Sequence, residues 1–399
     1  MLDVLIIGGG AAGLFLAANL QSTNAALLEH GPEAGKKLLI TGGGMCNITN
    51  TLPLEQFLSH YGNRSQRNFL LPSLHVLSPS ALMQWFEHNG VSVTVREDGK
   101  VFPSSLDAHQ VRDVLLKQSK AVIHYNTKVK STTHENGVFT VESERRTFQA
   151  KRLVLATGGM SYPGTGSDGS GYALAKSLGH SIVPPKPALA ALSIKEYQWA
   201  HLAGNSIRNA NADFYHAGER KRFLQQAGDI LLTHDGLSGP LILKASRYLE
   251  SGDRITFSLL PELAKQTLQD AILSQQKRQI TTILKEFGLI SSIAQQVVKA
   301  IGLASISTPA HLTKQQRQEL LRAVMEVTMT IQGVKGFKSA MVTSGGVSLS
   351  EVNRGTMESK VREHLYFAGE ILDIDGESGG FNLQAAFSTA YCVAKQMTQ

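Results

Sequence analysis

Four consecutive aliphatic residues, Val4 to Ile7, run straight into glycine at Gly8. A short continuous apolar run closed by a turn residue predicts a strand buried on both faces. Residues 11–21 are rich in alanine and predict a helix able to lie close on a sheet, and Ala25 to Leu28 predicts the next strand. From residue 121 to 155, Ala121 to His124, Val138 to Glu142 and Leu153 to Leu155 read as a strand meander with a turn at Glu135, Asn136 and Gly137. Beyond Pro184, Pro185 and Pro187 the pattern changes to short alternating segments around a turn at His216, Ala217 and Gly218, which predicts a small β-rich unit. From Pro261 to about residue 327 the period is helical, with Pro261 suited to a first helical position and Thr313 and Gln316 spaced as a capping box. Three or four short amphipathic helices fit there. Glycine loops return after about residue 340, followed by a strand at Leu365 to Ala368 and a final helix from about Leu383 with Leu383, Ala386, Phe387, Ala390 and Ala394 as its apolar stripe.

A chain of 399 residues exceeds the usual size of a single core, so more than one domain is expected. The pattern predicts an α/β protein whose first domain is discontinuous: residues 1–188 with 341–399, interrupted by a β unit of 189–260 with 328–340, itself interrupted by helices over 261–327. A hydrophobic content of 42% against 18% charged residues argues for packed cores and against disorder. Two cysteines, Cys46 and Cys392, are too few for a disulfide framework and suit a reducing compartment. No cysteine or histidine cluster proposes a metal, and no secretory or membrane-spanning run is visible, so a cytoplasmic location is expected with no membrane partner. The net charge of +7 comes from dispersed basic residues, with one short cluster at Arg220, Lys221 and Arg222. A solvated basic face is the favoured reading over a nucleic-acid site.

Gly8, Gly10 and Gly13 form G-x-G-x-x-G between the first strand and the first helix, opened by Ala11 and Ala12. In that context the glycines allow a tight turn and let backbone N–H groups approach a pyrophosphate at the helix's positive end. Glu29 ends the following strand, where a carboxylate can accept from a ribose diol. Gly164, Gly166 and Gly169 match the same spacing, but Met160 to Pro163 separate them from the preceding strand and no strand ending in an acid follows. They are read as a loop. The fingerprint alone does not separate NAD from FAD.

Two distant segments do. Leu153-Val154-Leu155-Ala156-Thr157-Gly158-Gly159 resembles the strand-to-loop signature that returns flavoproteins of the glutathione-reductase type to their cofactor, and Phe367-Ala368-Gly369-Glu370-Ile371-Leu372-Asp373 resembles their carboxy-terminal signature. Thr41-Gly42-Gly43-Gly44-Met45-Cys46-Asn47, Val101-Phe102-Pro103-Ser104, Thr233-His234-Asp235-Gly236, Thr343-Ser344-Gly345-Gly346 and Asp375-Gly376-Glu377-Ser378-Gly379-Gly380-Phe381-Asn382 are similar to blocks of one family. It is the BaiN/RdsA-like NAD(P)/FAD-dependent oxidoreductases, also called aminoacetone-oxidase-family FAD-binding enzymes. The resemblance runs from residue 4 to about 390. It implies a Rossmann-type FAD-binding domain of the glutathione-reductase type, an inserted β-barrel-like unit and a small helical insert. It also implies cofactor contacts from His30, Lys37, Thr41, Gly42, Gly43, Gly44, Asn47, Val129, Ala156, Thr157 and Gly158, and near the far end from Gly369, Glu370, Asp373, Gly379, Gly380, Asn382 and Leu383. The family's glycine block carries arginine where this chain has Met45, which removes a planar cation from the expected flavin face.

Cys46 lies in that block and is a candidate redox thiol or acid, with a small buried packing residue as the favoured alternative. His109 and His234 are further candidate acids, favoured as a solvated or capping residue and as a turn residue. No Ser-His-Asp order, carboxylate pair or Walker loop supports hydrolysis or phosphoryl transfer. The expected function is passage of hydride from NAD(P)H through FAD to a small organic acceptor, such as an activated carbon–carbon double bond. Oxidation of a small amine or aminoketone by oxygen is the second enzymatic reading, and a flavin-containing RNA-binding or RNA-modifying protein is the alternative from another class.

Overall fold

The computed structural model describes residues 1–21, 24–261, 263–304 and 307–397. The chain divides into two compact units, residues 1–188 with 337–399, and residues 189–336.

The first unit is built on a seven-stranded sheet. Leu2–Ile7 lies between Ala25–Leu28 and Thr147–Leu155, parallel to both, and Val4 to Ile7 are all buried, as a run apolar on both faces requires. Val122–His124 extends one edge in parallel beside Ala25–Leu28, so it is not part of the antiparallel meander expected from the pattern. That meander is Val129–Glu135, Val138–Ser143 and Thr147–Leu155, turning at Asn136 and Gly137, both with positive φ. Leu365–Phe367 returns from the far end of the chain to pair with Leu153 to Leu155. The helices Ala11–Asn19, Pro79–His88 and Phe381–Gln396 share an aromatic cluster in which the ring of Phe15 lies 4.8 Å from Trp85 and 4.9 Å from Phe387. The final helix is almost wholly buried.

The second unit contains a closed six-stranded barrel in the order Leu192–Ile194, Gly236–Ser238, Arg222–Leu232, Ser206–Tyr215, Arg254–Phe257, Val327–Val334. Closure removes the exposed strand edges. Four helices, Ala264–Ser274, Ile280–Glu286, Ser291–Ala300 and Lys314–Met325, share its hydrophobic core. Thr313 and Gln316 form the expected reciprocal capping box. The first of these helices begins at Ala264, whose N–H donates to the Pro261 carbonyl, so Pro261 precedes the helix by a turn. No described helix is long and apolar enough to cross a membrane.

Candidate functional site: a dinucleotide cradle assembled from both ends of the chain

The turn after the first strand explains two of its three glycines by contact inside the protein. Gly8 has φ +108°, and a Cβ there would stand 2.4 Å from the carbonyl oxygen of Ala156. A Cβ on Gly13 would stand 1.9 Å from the oxygen of Gly8. Gly10 differs, because a Cβ on it meets nothing within 4 Å. It caps the helix Ala11–Asn19 in extended conformation, so the open space lies against the end where the helix presents its first N–H groups. Ala11 and Ala12 follow in the first turn. A Cβ on Gly369 would stand 2.8 Å from that of Ala12, which brings the carboxy-terminal signature onto the same helix.

Glu29 is 8% exposed and holds the turn with both oxygens: Oε2 accepts from Gly9 N–H at 3.0 Å and Oε1 from Gly31 N–H at 2.7 Å. A carboxylate offers about four acceptor positions, so two remain. His30 sits 3.4 Å from Glu29 Oε1 and its ring lies where a Cβ on Gly166 would be. The segment before Val129 runs beside this strand end, with Asn126 N–H donating to Gly31 O and Thr127 N–H to Glu29 O. Gly166 itself belongs to a short 3₁₀ turn, and the following strand Ile182–Ala188 pairs antiparallel with Val342–Val347, so the second glycine triplet opens no βαβ unit.

Further along, Lys37 and Glu370 meet each other. Lys37 Nζ donates to Glu370 Oε2 at 2.6 Å and to Ser161 Oγ at 2.5 Å, while Glu370 Oε1 accepts from Ser161 Oγ and from Thr343 N–H. Ser161 is a member of this network that the sequence reading did not single out, and Thr343 was read only as part of a family-like block. Tyr172 is also new: its hydroxyl is buried with no hydrogen-bond partner among the described residues, and burial followed by the charges of Glu370 and Asp373 raises its pKa. Thr157 Oγ1, beside Gly158, is likewise buried and unpartnered.

Asp373 is held above the ordinary carboxylate range by desolvation and then by the neighbouring Asp375, against weaker opposing hydrogen bonds from Gln66 and the Gly345 backbone. The folded protein therefore binds a proton here that the unfolded chain releases. The stabilisation is full below the usual carboxylate range and is lost as pH rises through the raised value. Asp373→Asn should raise the melting temperature of the apoprotein near pH 7 and leave it unchanged near pH 4. An equal shift at both values would show that the charge is not the cause.

The glycine-rich block behaves differently from its neighbours. Gly42 and Gly43 are exposed with positive φ, and Gly44 and Thr41 are half-buried. Asn47 fits a structural role: with its amide nitrogen turned toward the carbonyls of Thr49 and Val101, its oxygen accepts from the N–H of Gly380. Asn382 likewise clasps Gly376 through both its carbonyl and amide groups, and Leu383 packs half-buried on the core. Gly379 and Gly380 lead into the helix Phe381–Gln396. Cys46 is fully buried and desolvation pushes its thiol up to about 12, so it stays protonated and packs as a core residue. A guanidinium from another segment lies beside Met45. Arg96 reaches the Met45 sulfur at 3.3 Å and lies 4.1 Å over the Phe102 ring. His109 bonds the capping residue Asp107, with both more than half exposed, and His234 is exposed in a turn.

The sequence missed a sharper pair. His60 Nδ1 lies 2.9 Å from Glu377 Oε2, and its ring stacks on Phe381 at 4.2 Å and 15°. Only the folded chain brings residues 317 positions apart together.

Open space over Gly10, spare acceptors on Glu29, and the unpartnered hydroxyls of Thr157 and Tyr172 fit an extended dinucleotide. Among the described residues no group of acids, cysteines and histidines could hold a metal ion. The first unit is a Rossmann-type FAD-binding fold completed by the carboxy-terminal segment.

The family model described as HI0933-like protein Rossmann domain matches residues 2–396, and the chain belongs to that family. A 3-dehydro-bile acid delta(4,6)-reductase from Clostridium scindens is 31% identical over 98% of this chain and 97% of its own length. A ribosomal RNA dihydrouridine synthase from Haemophilus influenzae is 29% identical over 99% of this chain and 98% of its own. Among solved structures, the 3-ketosteroid-delta4-(5alpha)-dehydrogenase of Rhodococcus jostii RHA1 superposes with a TM-score of 0.50 at 13% identity, covering 100% of this chain and 96% of that one, and shares the fold. The protein is an FAD-dependent oxidoreductase.

Proposed function

We propose that the protein carries two electrons from NAD(P)H through FAD to a carbon–carbon double bond conjugated with a carbonyl. The observation that carries this reading is the end-to-end similarity to a reductase of a 3-oxo bile acid. The second relative supports the same chemistry, because a dihydrouridine is a uridine with two hydrogens added to a double bond next to a carbonyl.

In this reading FAD lies extended and non-covalently held in a domain of residues 1–188 and 341–399. Glu29, His30 and Val129 serve its adenosine end, and the Gly8–Gly13 turn with Ala156, Thr157 and Gly158 its pyrophosphate. Lys37, Gly369, Glu370 and Asp373 line the middle. Thr41, Gly42, Gly43, Gly44, Gly379 and Gly380 lie at the ring, where Asn47, Asn382 and Leu383 act by bracing. The remaining domains in this reading are the barrel (189–260, 328–340) and the helical insert (261–327). When bound, the flavin supplies hydride chemistry. The dipole of the helix Phe381–Gln396 favours negative charge at its start and so favours the reduced cofactor.

A second reading keeps the chemistry and changes the acceptor to a uridine within RNA. It draws on the same relative and on Arg220, Lys221 and Arg222, all exposed at the tip of a barrel hairpin.

The test is anaerobic addition of NADH or NADPH to the yellow holoprotein, followed by oxygen, cyclic enones or uridine-containing RNA. Bleaching by a nicotinamide and rapid recovery with an enone is the expected result. Recovery with oxygen alone identifies an oxidase. Recovery with RNA alone, steeply salt-dependent, selects the second reading.

A further inference from the structure

Adding two hydrogens to a conjugated double bond needs a proton as well as a hydride, so the site requires a proton donor. We propose that His60 is the proton donor and Glu377 the residue that positions it. The inference rests on the double-bond reduction proposed above.

Among the described residues several histidines sit beside a carboxylate, and their surroundings separate them. His109 with Asp107 is solvated, and His216 with Asp253 belongs to the other unit. The His180 side chain is 0% exposed, its Nε2 bonds Ser359 and its Nδ1 lies 3.2 Å from Glu351. His30 flanks Glu29, which is already committed to Gly9 and Gly31. His60 and Glu377 are partly enclosed, with side chains 27% and 21% exposed.

The pair is also anchored on every side. His60 ends the helix Leu54–Ser59, with its backbone N–H bonded to the Phe57 carbonyl. Glu377 N–H donates back to the His60 carbonyl at 2.9 Å, and Asn382 Nδ2 donates to the Glu377 carbonyl. Next door, Tyr61 Oη donates to Phe381 O at 2.7 Å, and Arg67 bonds the carbonyls of Tyr61 and Gly62. Stacking on Phe381 places the imidazole at the first residue of the helix whose entry glycines, Gly379 and Gly380, are bonded to the segment following the exposed glycine block through Asn50 and Asn47. His60 Nε2 makes no hydrogen bond among the described residues.

The step balances simply. The cofactor would supply the hydride taken up at the carbon β to the carbonyl, and His60 Nε2–H gives its proton to the α carbon. The imidazolium becomes neutral imidazole with its remaining proton on Nδ1, directed at Glu377, and solvent returns the lost proton. Glu377 fixes the ring's orientation and tautomer.

Two variants separate this role from a structural one. His60→Phe keeps the stack on Phe381, and His60→Gln keeps a polar group for Glu377. Both should bind FAD and be bleached by the nicotinamide at the wild-type rate. Recovery with ferricyanide, which takes electrons without forming a carbon–hydrogen bond, should also be unchanged. Recovery with the enone should slow by about 10²- to 10⁴-fold, the usual range for a lost general acid. Enone recovery at the wild-type rate in both variants overturns the proposal. A readout independent of turnover is the ¹⁵N resonance of His60 Nε2 in the oxidised holoprotein, which should shift when cyclohexenone binds. In Glu377→Gln the Nδ1-protonated signature should weaken. Saturating cyclohexenone that leaves the His60 signal in place also overturns the proposal. If the wild-type protein reduces no enone yet the resonance shifts, His60 stands as the contact and the assigned reaction is what fails.

Discussion

Gly13→Ala is expected to destabilise the nucleotide-binding unit by a few kcal/mol, whereas Gly10→Ala should leave it stably folded but bind FAD more weakly. The added methyl at Gly13 would lie 1.9 Å from a backbone oxygen, so no rotamer change relieves it and the helix must move off the turn. Overpacking of this kind costs about 3 kcal/mol or more, which exceeds the ~1 kcal/mol that alanine gains over glycine inside a helix. At Gly10 the backbone is extended at φ −80° and ψ −170°, and the methyl meets nothing. Restricting the unfolded chain there should raise apoprotein stability by about 0.4–1 kcal/mol. The methyl would fill the space proposed for the pyrophosphate, and loss of charge-assisted bonds to backbone N–H groups should weaken FAD binding by roughly 2–3 kcal/mol. Urea unfolding of the apoproteins and flavin-fluorescence titration separate the two effects. Wild-type FAD affinity in Gly10→Ala would move the pyrophosphate elsewhere.

Glu29→Ala should damage both stability and binding. The carboxylate is already engaged by Gly9 and Gly31, so its loss strands two buried N–H groups and should cost the apoprotein about 1–3 kcal/mol. Loss of the proposed ribose acceptor should weaken FAD by a further 1.5–3 kcal/mol or so. Glu29→Gln retains one oxygen but turns an NH₂ toward one of the donors, and should fall between the wild type and alanine on both measurements. A variant that loses stability while keeping full FAD affinity would confine Glu29 to the turn.

These contacts mark where sequence reasoning runs out. The paired strands Leu2–Ile7 and Ala25–Leu28 were legible because burial on both faces leaves a continuous apolar run. The strand–turn–helix that carries the glycine triplet was legible because its pattern is local in sequence. Helices between residues 51 and 120 were not read, although Asn63, Ser78 and Asp107 each cap one. Pro72 inside the helix Arg64–Val76 obscures its period, and Leu54–Ser59 is too short to show one. His60 was lost with them. The family resemblance implied cofactor contacts from Lys37 and Glu370, but their direct pairing depends on a loop and a strand end folding onto the same sheet. Arg96 standing beside Met45 has the same origin, since a hairpin brings it back to a block some fifty residues earlier.

The return of Leu365–Phe367 to the side of Thr147–Leu155 also sets an order of events during synthesis. The glycine turn and its first helix leave the ribosome early, but the wall opposite them arrives only with Gly369 and the final helix. Until then the nascent chain presents an apolar sheet face and a half-built nucleotide groove, while the whole barrel unit is made and closes on its own core. The cradle is therefore completed only after the barrel unit has been made, when the segment from Leu365 to Gln396 joins it.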